Sequence, residues 1–599
     1  MALTFVESVV GNHAVDGPYD RPPRPGDIVW LRPQKVMTHD NTSAVLARFR
    51  SMGATRVASP GQCVFVLDHD IQNTKAANLA KYAAIEAFAR EQGIEFHPAG
   101  SGIGHQVMIE RGHVRPGELC VAADSHANMY GALGALGLAV ARSDAAGIWA
   151  SGIFWWEVPQ SVRVVFEERL PAGATGKDVA LLLCALYPDD VIGAVVEFDG
   201  PGAATLPQDD RLTLSNLTTE WGAIAGVFPG DGPGRVEAGA TYAATISFDL
   251  SSVSPHVSGP DTLSRAAPVG ELAHERIPIQ KAYLVSCANG RLSDLEAAAS
   301  VLRGKRVATG VELYVTAASA SVQRSAEESG AWSTLLDAGA IPLPSGCGPC
   351  IGLGTGLLTP GETGISASNR NFKGRMGSPE ARCYLASPTV VAASAAAGFI
   401  CGPGANPAIA PARRIVRHAI ARSSSDEAAP GEAGTISGRL VLNLRDGIDT
   451  DALCPARLVY DDGASRDELA AAVFGSIDPA FAAQVRPGDI LVAGARFGTG
   501  SGREQAVTAL MAAGIRAVVA SSLGPAFRRN AWNNGFPAIE RPALVDALRA
   551  RLRATSDAAL FTDERITIEL AWLPRVAREL HRAGGLDAFL RGRNARGDN

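Results

Sequence analysis

Short apolar, β-branched runs recur along the N-terminal part of the chain, and each gives way to a polar or glycine-containing loop. Residues 63–67 (CVFVL) lead into Asp-His, 119–122 (LCVA) toward Asp-Ser-His, 194–198 (AVVEF) into Asp-Gly, and 281–285 (KAYLV) into Ser-Cys. Helix-like stretches lie between such runs. The alternation predicts an α/β fold whose functional residues sit on loops at strand ends. Near 413–438 the pattern stops. The segment ARSSSDEAAPGEAGT is rich in Ser, Ala, Gly, Glu and Pro and lacks apolar periodicity, which predicts a linker over residues 413–437. A second α/β block follows, opening at Arg439-Leu-Val-Leu and including Asp489-Ile-Leu-Val-Ala and Ala517-Val-Val-Ala. The expected division is a large region over 1–412, the linker, and a C-terminal domain over 438–599. No short-period repeat is present.

Composition narrows the functional classes. With 599 residues, 46% of them hydrophobic, the chain can bury a large core and is too long for one domain. The net charge is −6 and there is no Lys/Arg cluster, which disfavours a nucleic-acid partner. The opening MALTFVESVVGNHAV has no basic stretch and places Glu7 where a signal peptide needs an apolar core, so no signal peptide is expected. The longest uncharged run, 384–411, is too rich in Ala, Ser, Gly and Pro for a membrane span. Nine cysteines are too sparse for a disulfide scaffold. These features together lead to the expectation of a soluble, cytoplasmic protein.

Four constellations carry candidate chemistry. The first joins Cys347-Gly-Pro-Cys350 to Cys287, which lies in Ser286-Cys-Ala-Asn-Gly290 just after an apolar run. Three thiolates from two loops can hold three irons of a cubic iron–sulfur cluster and leave the fourth iron open, as a Lewis acid in place of an electron carrier. A Cys-x-x-Cys pair alone leaves redox, zinc and cluster chemistry open. No Trp precedes Cys347, as a thioredoxin-type dithiol would have, and no fourth zinc ligand is evident. The other six cysteines read as small buried hydrophobes.

The second constellation is Ser368-Asn-Arg-Asn-Phe-Lys-Gly-Arg375, where Arg370 and Arg375 either clamp carboxylates or belong to a solvated basic loop. The third is Phe497-Gly-Thr-Gly-Ser-Gly-Arg503, before the helix-like stretch 506–513. It places Ser501 and Arg503 where a helix N-terminus favours an anion, or it is a plain helix cap. Arg503 stands where a GxGxxG dinucleotide fingerprint requires Gly, so that reading fails. The fourth is the set His39-Asp40, Asp68-His69, His105 and Asp124-Ser125-His126. Such pairs tune imidazoles for proton transfer, or form structural hydrogen bonds; four such places at strand ends favour a shared polar cleft.

Taken together these residues resemble the aconitase superfamily, in particular its 3-isopropylmalate dehydratase and homoaconitase branch, over nearly the whole chain. Pro25-Gly-Asp-Ile-Val with Val36-Met-Thr-His-Asp is similar to that branch's opening. Asp68-His69, Gly104-His105-Gln106 and Ala123-Asp-Ser-His126 are similar to its proton-transfer motifs. Asn216 and Glu220 resemble its cluster-adjacent pair, and Ser368–Arg375 is among its most specific signatures. In the C-terminal domain, Ile448-Asp-Thr-Asp451-Ala-Leu-Cys-Pro and Gly498-Thr-Gly-Ser-Gly-Arg-Glu resemble the loops of the swivel domain, which many relatives carry as a separate small subunit. Four departures stand out: Ala288 and Ala127 replace Thr, Gly502 replaces Ser, and Gln505 replaces His.

The resemblance implies a three-lobed cluster-binding core over 1–412 and an α/β swivel domain over 438–599 on one chain, with no separate small subunit required. It implies a 4Fe–4S cluster on Cys287, Cys347 and Cys350, and an enzyme that dehydrates and rehydrates a small hydroxy di- or tricarboxylate. Ser501 would abstract the proton, with Arg503 holding its alkoxide. His105, Asp124 and His126 would orient the hydroxyl; Asp68 and His69 would protonate it, beside Glu220. His39, Ser125, Asn216, Asn369, Arg370, Arg375, Asp451 and Arg457 would bind substrate. A 3-isopropylmalate dehydratase reaction is the first expectation. Aconitase, homoaconitase or an alkylmalate isomerase of secondary metabolism is the alternative. A cluster-free RNA-binding protein or a redox dithiol protein is the remote one.

Overall fold

The computed structural model describes residues 2–15, 21–230, 232–404, 409, 411–419, 434–455, 458, 465–499, 504–552 and 559–596. The chain divides into two units, Met1–Ala47 with Arg56–Arg422, and Arg48–Thr55 with Ser423–Asn599. Helices and strands alternate in both, as the sequence pattern requires.

The first unit holds three large sheets with helical layers, one per lobe, and a two-stranded antiparallel pair of Ile28–Leu31 with Phe154–Glu157. One is five-stranded and all parallel. From edge to edge it runs Glu95–His97, Cys63–Val66, Lys35–Thr38, Leu119–Ala122, Leu136–Ala139. Cys63–Val66 and Leu119–Ala122 are buried at every position, the signature of a parallel sheet covered on both faces. The second lobe is built on the strands Ala225–Val227, Val195–Asp199, Ser161–Glu167, Ala244–Asp249 and Ile415–Arg417, of which the last is antiparallel. The third sheet has seven strands: Ala266–Pro268, His256–Ser258, Arg382–Ala386, Thr363–Ser366, Lys281–Leu284, Glu312–Val315 and Ile341–Pro342. From Arg382–Ala386 to Ile341–Pro342 its pairs are parallel.

The first and third sheets share one device. In each, the earliest parallel strand is central, and later strands add first on one side and then on the other. At such a reversal the loops leaving adjacent carboxyl ends diverge and open a crevice. The reversal falls between Lys35–Thr38 and Leu119–Ala122 in one sheet, and between Lys281–Leu284 and Thr363–Ser366 in the other.

The second unit has one five-stranded sheet, ordered Ala538–Glu540, Ile515–Ala520, Asp489–Ala493, Thr435–Asn443, Leu560–Glu569, in which only the last pair is antiparallel. The expected linker is narrower than 413–437. Ile415–Arg417 pairs with Ala244–Ile246, and Thr435 already opens a strand. Three residues are too few for a periodic signal, so this edge strand hides in a polar segment. Residues 420–433 lie outside the described set. No helix among the described residues is long and apolar enough to cross a membrane.

Candidate active site

Local backbone geometry positions the three cysteines. Lys281–Leu284 ends at Val285, and Ser286 turns the chain at φ 96°, a conformation that non-glycine residues hold only under tertiary constraint. The Ser286 hydroxyl accepts from the amides of Ala288 (3.2 Å) and Asn289 (3.4 Å), and Arg291 donates to the Cys287 carbonyl at 2.8 Å. Cys347 and Cys350 flank a single turn, with the Cys350 amide donating to the Cys347 carbonyl at 3.0 Å. All three thiols are free and buried. A single carboxamide spans two of them: Asn369 lies 3.6 Å from the Cys287 sulfur through its Nδ2 and 3.7 Å from that of Cys350 through its Oδ1. Asn216 donates to Cys287 Sγ at 3.1 Å and meets Asn369 directly.

Burial, and then the neighbouring Cys350, push the Cys287 thiol up to about 12. Burial also pushes Cys347 well above its ordinary range, with His69 opposing. Thiols held this high bind a metal by exchanging protons for it. Three buried free sulfurs, with carboxamide donors of Asn216 and Asn369 aimed at Cys287, fit an iron–sulfur cluster, and the imidazole of His69 lies against Cys347 as a further polar neighbour. Of the other cysteines, Cys63, Cys120, Cys184, Cys383 and Cys454 are buried and Cys401 is half-buried.

The Asp–His residues converge at the carboxyl ends of the first sheet. His105 Nε2 lies 2.6 Å from Asp124 Oδ1, and its Nδ1 lies 3.0 Å from the Tyr130 hydroxyl. His69 pairs with Asp68 at 2.5 Å and lies 3.6 Å from Asp124. The His126 amide donates to Asp124 at 2.9 Å, and its Nε2 meets Glu220 at 3.1 Å. Arg370 closes the network on Glu220 at 2.6 Å. His39 stacks on His69 with ring centroids 3.8 Å apart. Asp40 acts as a backbone clamp. Its carboxylate accepts from the amides of Asp68, His69 and Asp70 and from the Tyr82 hydroxyl.

The electrostatics divide these groups by role. Burial works against charge on Asp124, yet His105, His126 and His69 hold its carboxyl well below the usual range. Burial likewise opposes charge on Glu220, while Arg370 and His126 bring it to about 2. Burial would discharge His69, but Cys347, Asp68 and Asp124 hold its imidazole well above the ordinary range. Burial and then the nearby His69 depress His39 to about 4. The two stacked imidazoles are thus pushed in opposite directions.

The two sets meet inside the first unit. The Cys347 amide donates to the Asp68 carbonyl at 2.7 Å, so the thiol loop and the imidazole loop share a backbone hydrogen bond. Arg375 donates to the Cys350 carbonyl at 2.7 Å and its guanidinium lies over Phe372. Ser125 is half-buried beside Asp124, its carbonyl accepting from Thr219 at 2.8 Å. In the second unit, Asp451 is exposed in the short helix Thr450–Leu453. That loop lies beside the glycine loop, through Gly498 N–H to the Ile448 carbonyl (2.7 Å) and Thr450 N–H to the Thr499 carbonyl (2.8 Å). Ser501, Arg503 and Arg457 lie outside the described residues. Sequence reasoning missed Tyr130, Tyr82 and Arg291; a buried tyrosine in an apolar run gives no sign of its hydroxyl's partner.

Comparisons with known proteins identify the family. The aconitase family (aconitate hydratase) profile matches residues 7–233 and 234–398, and the aconitase C-terminal domain profile matches 460–543. Both parts therefore stand on one polypeptide. Similar proteins include the mitochondrial homoaconitases of Eremothecium gossypii (47% identical, covering 94% of this chain and 89% of that one) and Mycosarcoma maydis (45%; 91% and 84%). That of Cryptococcus neoformans is 43% identical over 98% of this chain and 95% of its own. A solved 3-isopropylmalate dehydratase from Methanocaldococcus jannaschii is 31% identical over 28% of this chain and 98% of that one, with a TM-score of 0.23. The cytoplasmic location expected from composition is overturned by these relatives, each named as mitochondrial. Bulk composition reports solubility, and compartment is not a property it measures. The chain belongs to the aconitase family and is an aconitase-type hydro-lyase.

Proposed function

We propose that the protein is a homoaconitase-type enzyme, adding water to and removing it from a homoaconitate-class tricarboxylate. The names of its similar proteins favour this substrate over the 3-isopropylmalate that branch resemblance put first. The observation that carries the reading is the set of three buried free thiols with the Asn216 and Asn369 carboxamides against them, beside a connected Asp–His network.

Cys287, Cys347 and Cys350 would hold a 4Fe–4S cluster. When bound, such a group supplies a Lewis acid for a hydroxyl and a carboxylate. The protein's own residues do the rest. Arg370, fixed by Glu220, and Arg375, fixed on the Cys350 carbonyl, present guanidiniums suited to bidentate grip of carboxylates. His69, its ring fixed by Asp68 at 2.5 Å and lying 3.6 Å from Asp124, would donate a proton to a departing hydroxyl. His105 and His126, both anchored on Asp124, orient that hydroxyl. His39 stacks beside the donor, and Ser125 lies in the same loop. Asn216 and Asn369 shape the thiol pocket. Ser501 is the proposed base, with Arg503 to hold its alkoxide and Asp451 and Arg457 on the substrate, all four on the resemblance of the swivel loops.

The test is an anaerobic assay of reconstituted protein with homoaconitate, cis-aconitate and 3-isopropylmalate. We expect kcat/KM for homoaconitate to exceed that for 3-isopropylmalate by about tenfold or more, roughly the discrimination one substrate group provides. The reverse order would return the reading to 3-isopropylmalate, and inactivity on all three would sink the hydroxy-tricarboxylate class.

A further inference from the structure

Lys177 is fully buried at the start of the helix Gly176–Leu186, in its first turn. That is an unfavourable place for a cation on helix grounds, because the N-terminus carries the positive end of the dipole. Nor does the ammonium form an ion pair: among the described residues no carboxylate oxygen lies within 4.0 Å of it. Asp178, its neighbour, spends its oxygens on the Thr175 amide (2.9 Å) and hydroxyl (2.8 Å) and on the His256 amide (2.9 Å). Lys177 Nζ instead donates to two consecutive carbonyls, Ser368 at 2.5 Å and Ala367 at 3.2 Å. Consecutive carbonyls point to opposite sides of an extended strand, so one donor can reach both only where the chain bends. That bend directly precedes Asn369, which spans two thiols, and Arg370, which meets Glu220. Burial pulls the ammonium down to about 8, and the largest opposing pull comes from Cys350.

A buried charge with only neutral acceptors is costly unless a counter-charge is near. We propose that Lys177 is a positioning residue of this site, whose ammonium sets the Ala367–Ser368 bend that presents Asn369 and Arg370 and balances the negative charge of the thiolate-held cluster. The charge-balance part rests on the cluster reading above; the bend does not.

Two measurements on the full chain separate them. In anaerobically reconstituted protein, Lys177→Met should shift the cluster's midpoint potential to more negative values, because loss of a nearby positive charge disfavours the added electron, and Lys177→Arg should restore it. An unchanged potential in Lys177→Met overturns the charge role. In iron-free protein, amide hydrogen exchange across residues 366–370 should speed at least tenfold in Lys177→Met and return toward wild type in Lys177→Arg. Unchanged exchange overturns the positioning role. Should Lys177→Met fail to fold, Lys177→Gln is read by the same two criteria. Wild-type protein that takes up no iron would overturn the cluster reading and the charge balance with it, while the exchange measurement still decides the bend.

Discussion

At the residue scale, Asp124 is the hub. Its two carboxylate oxygens lie within 4.0 Å of ring nitrogens of His39, His69, His105 and His126. Asp124→Asn keeps the shape and removes the charge that these imidazoles share. We expect kcat to fall by about a hundredfold or more, the scale of a disabled acid–base group, while the visible absorbance of the reconstituted protein is unchanged. Retention of most of the turnover would place the proton transfer elsewhere. Much of this network was legible in the sequence because its members are neighbours along the chain, as in Asp68-His69 and Asp124-Ser-His126. Groups whose partner is remote left no such trace. Lys177 meets Ala367 and Ser368 across 190 and 191 positions, and Glu220 meets His126 across 94. Asn216 and Glu220 were found through family resemblance and not through any local pattern.

At the element scale, strands buried on both faces announce themselves. The predicted runs 119–122 and 489–493 coincide with Leu119–Ala122 and Asp489–Ala493. Edge strands do not, since Ile415–Arg417 has little apolar surface to periodically repeat. The loop before Cys347 shows how tightly elements from two sheets approach. A Cβ on Gly346 would fall 2.7 Å from the Asp68 carbonyl oxygen and 2.5 Å from the Ile71 Cδ1. Ile71 can turn aside, but the carbonyl belongs to the backbone that the Cys347 amide bonds. Gly346→Ala should therefore push the thiol loop off Asp68. The expected outcome is iron content per chain cut to less than about half with the secondary structure intact, at a cost of order 1–3 kcal/mol for the overpacked site. Full iron loading with an unchanged melting temperature would show that the loop relaxes freely.

At the scale of the whole molecule, two units with separate sheets predict unfolding that is not a single two-state event. All three thiols belong to the unit that contains Arg56–Arg422. A group bound only by that unit's folded state stabilises that unit alone. Scanning calorimetry of loaded and iron-stripped protein should show one transition lowered by stripping and the other unmoved; equal shifts in both would contradict this assignment. The sequence pattern breaks near 413–438, close to where the second unit's main segment begins at Ser423. The return of residues 48–55 to the second unit could not be anticipated, because nothing in a local pattern records which distant sheet a short segment joins.

The hydrogen bond from the Cys347 amide to the Asp68 carbonyl has a consequence for how the enzyme tolerates motion. A side-chain contact between the two loops would depend on rotamers, whereas this bond joins main chain to main chain, so a displacement of the loop that carries Cys347 is passed to the backbone of Asp68 and His69 and not absorbed by a turning side chain.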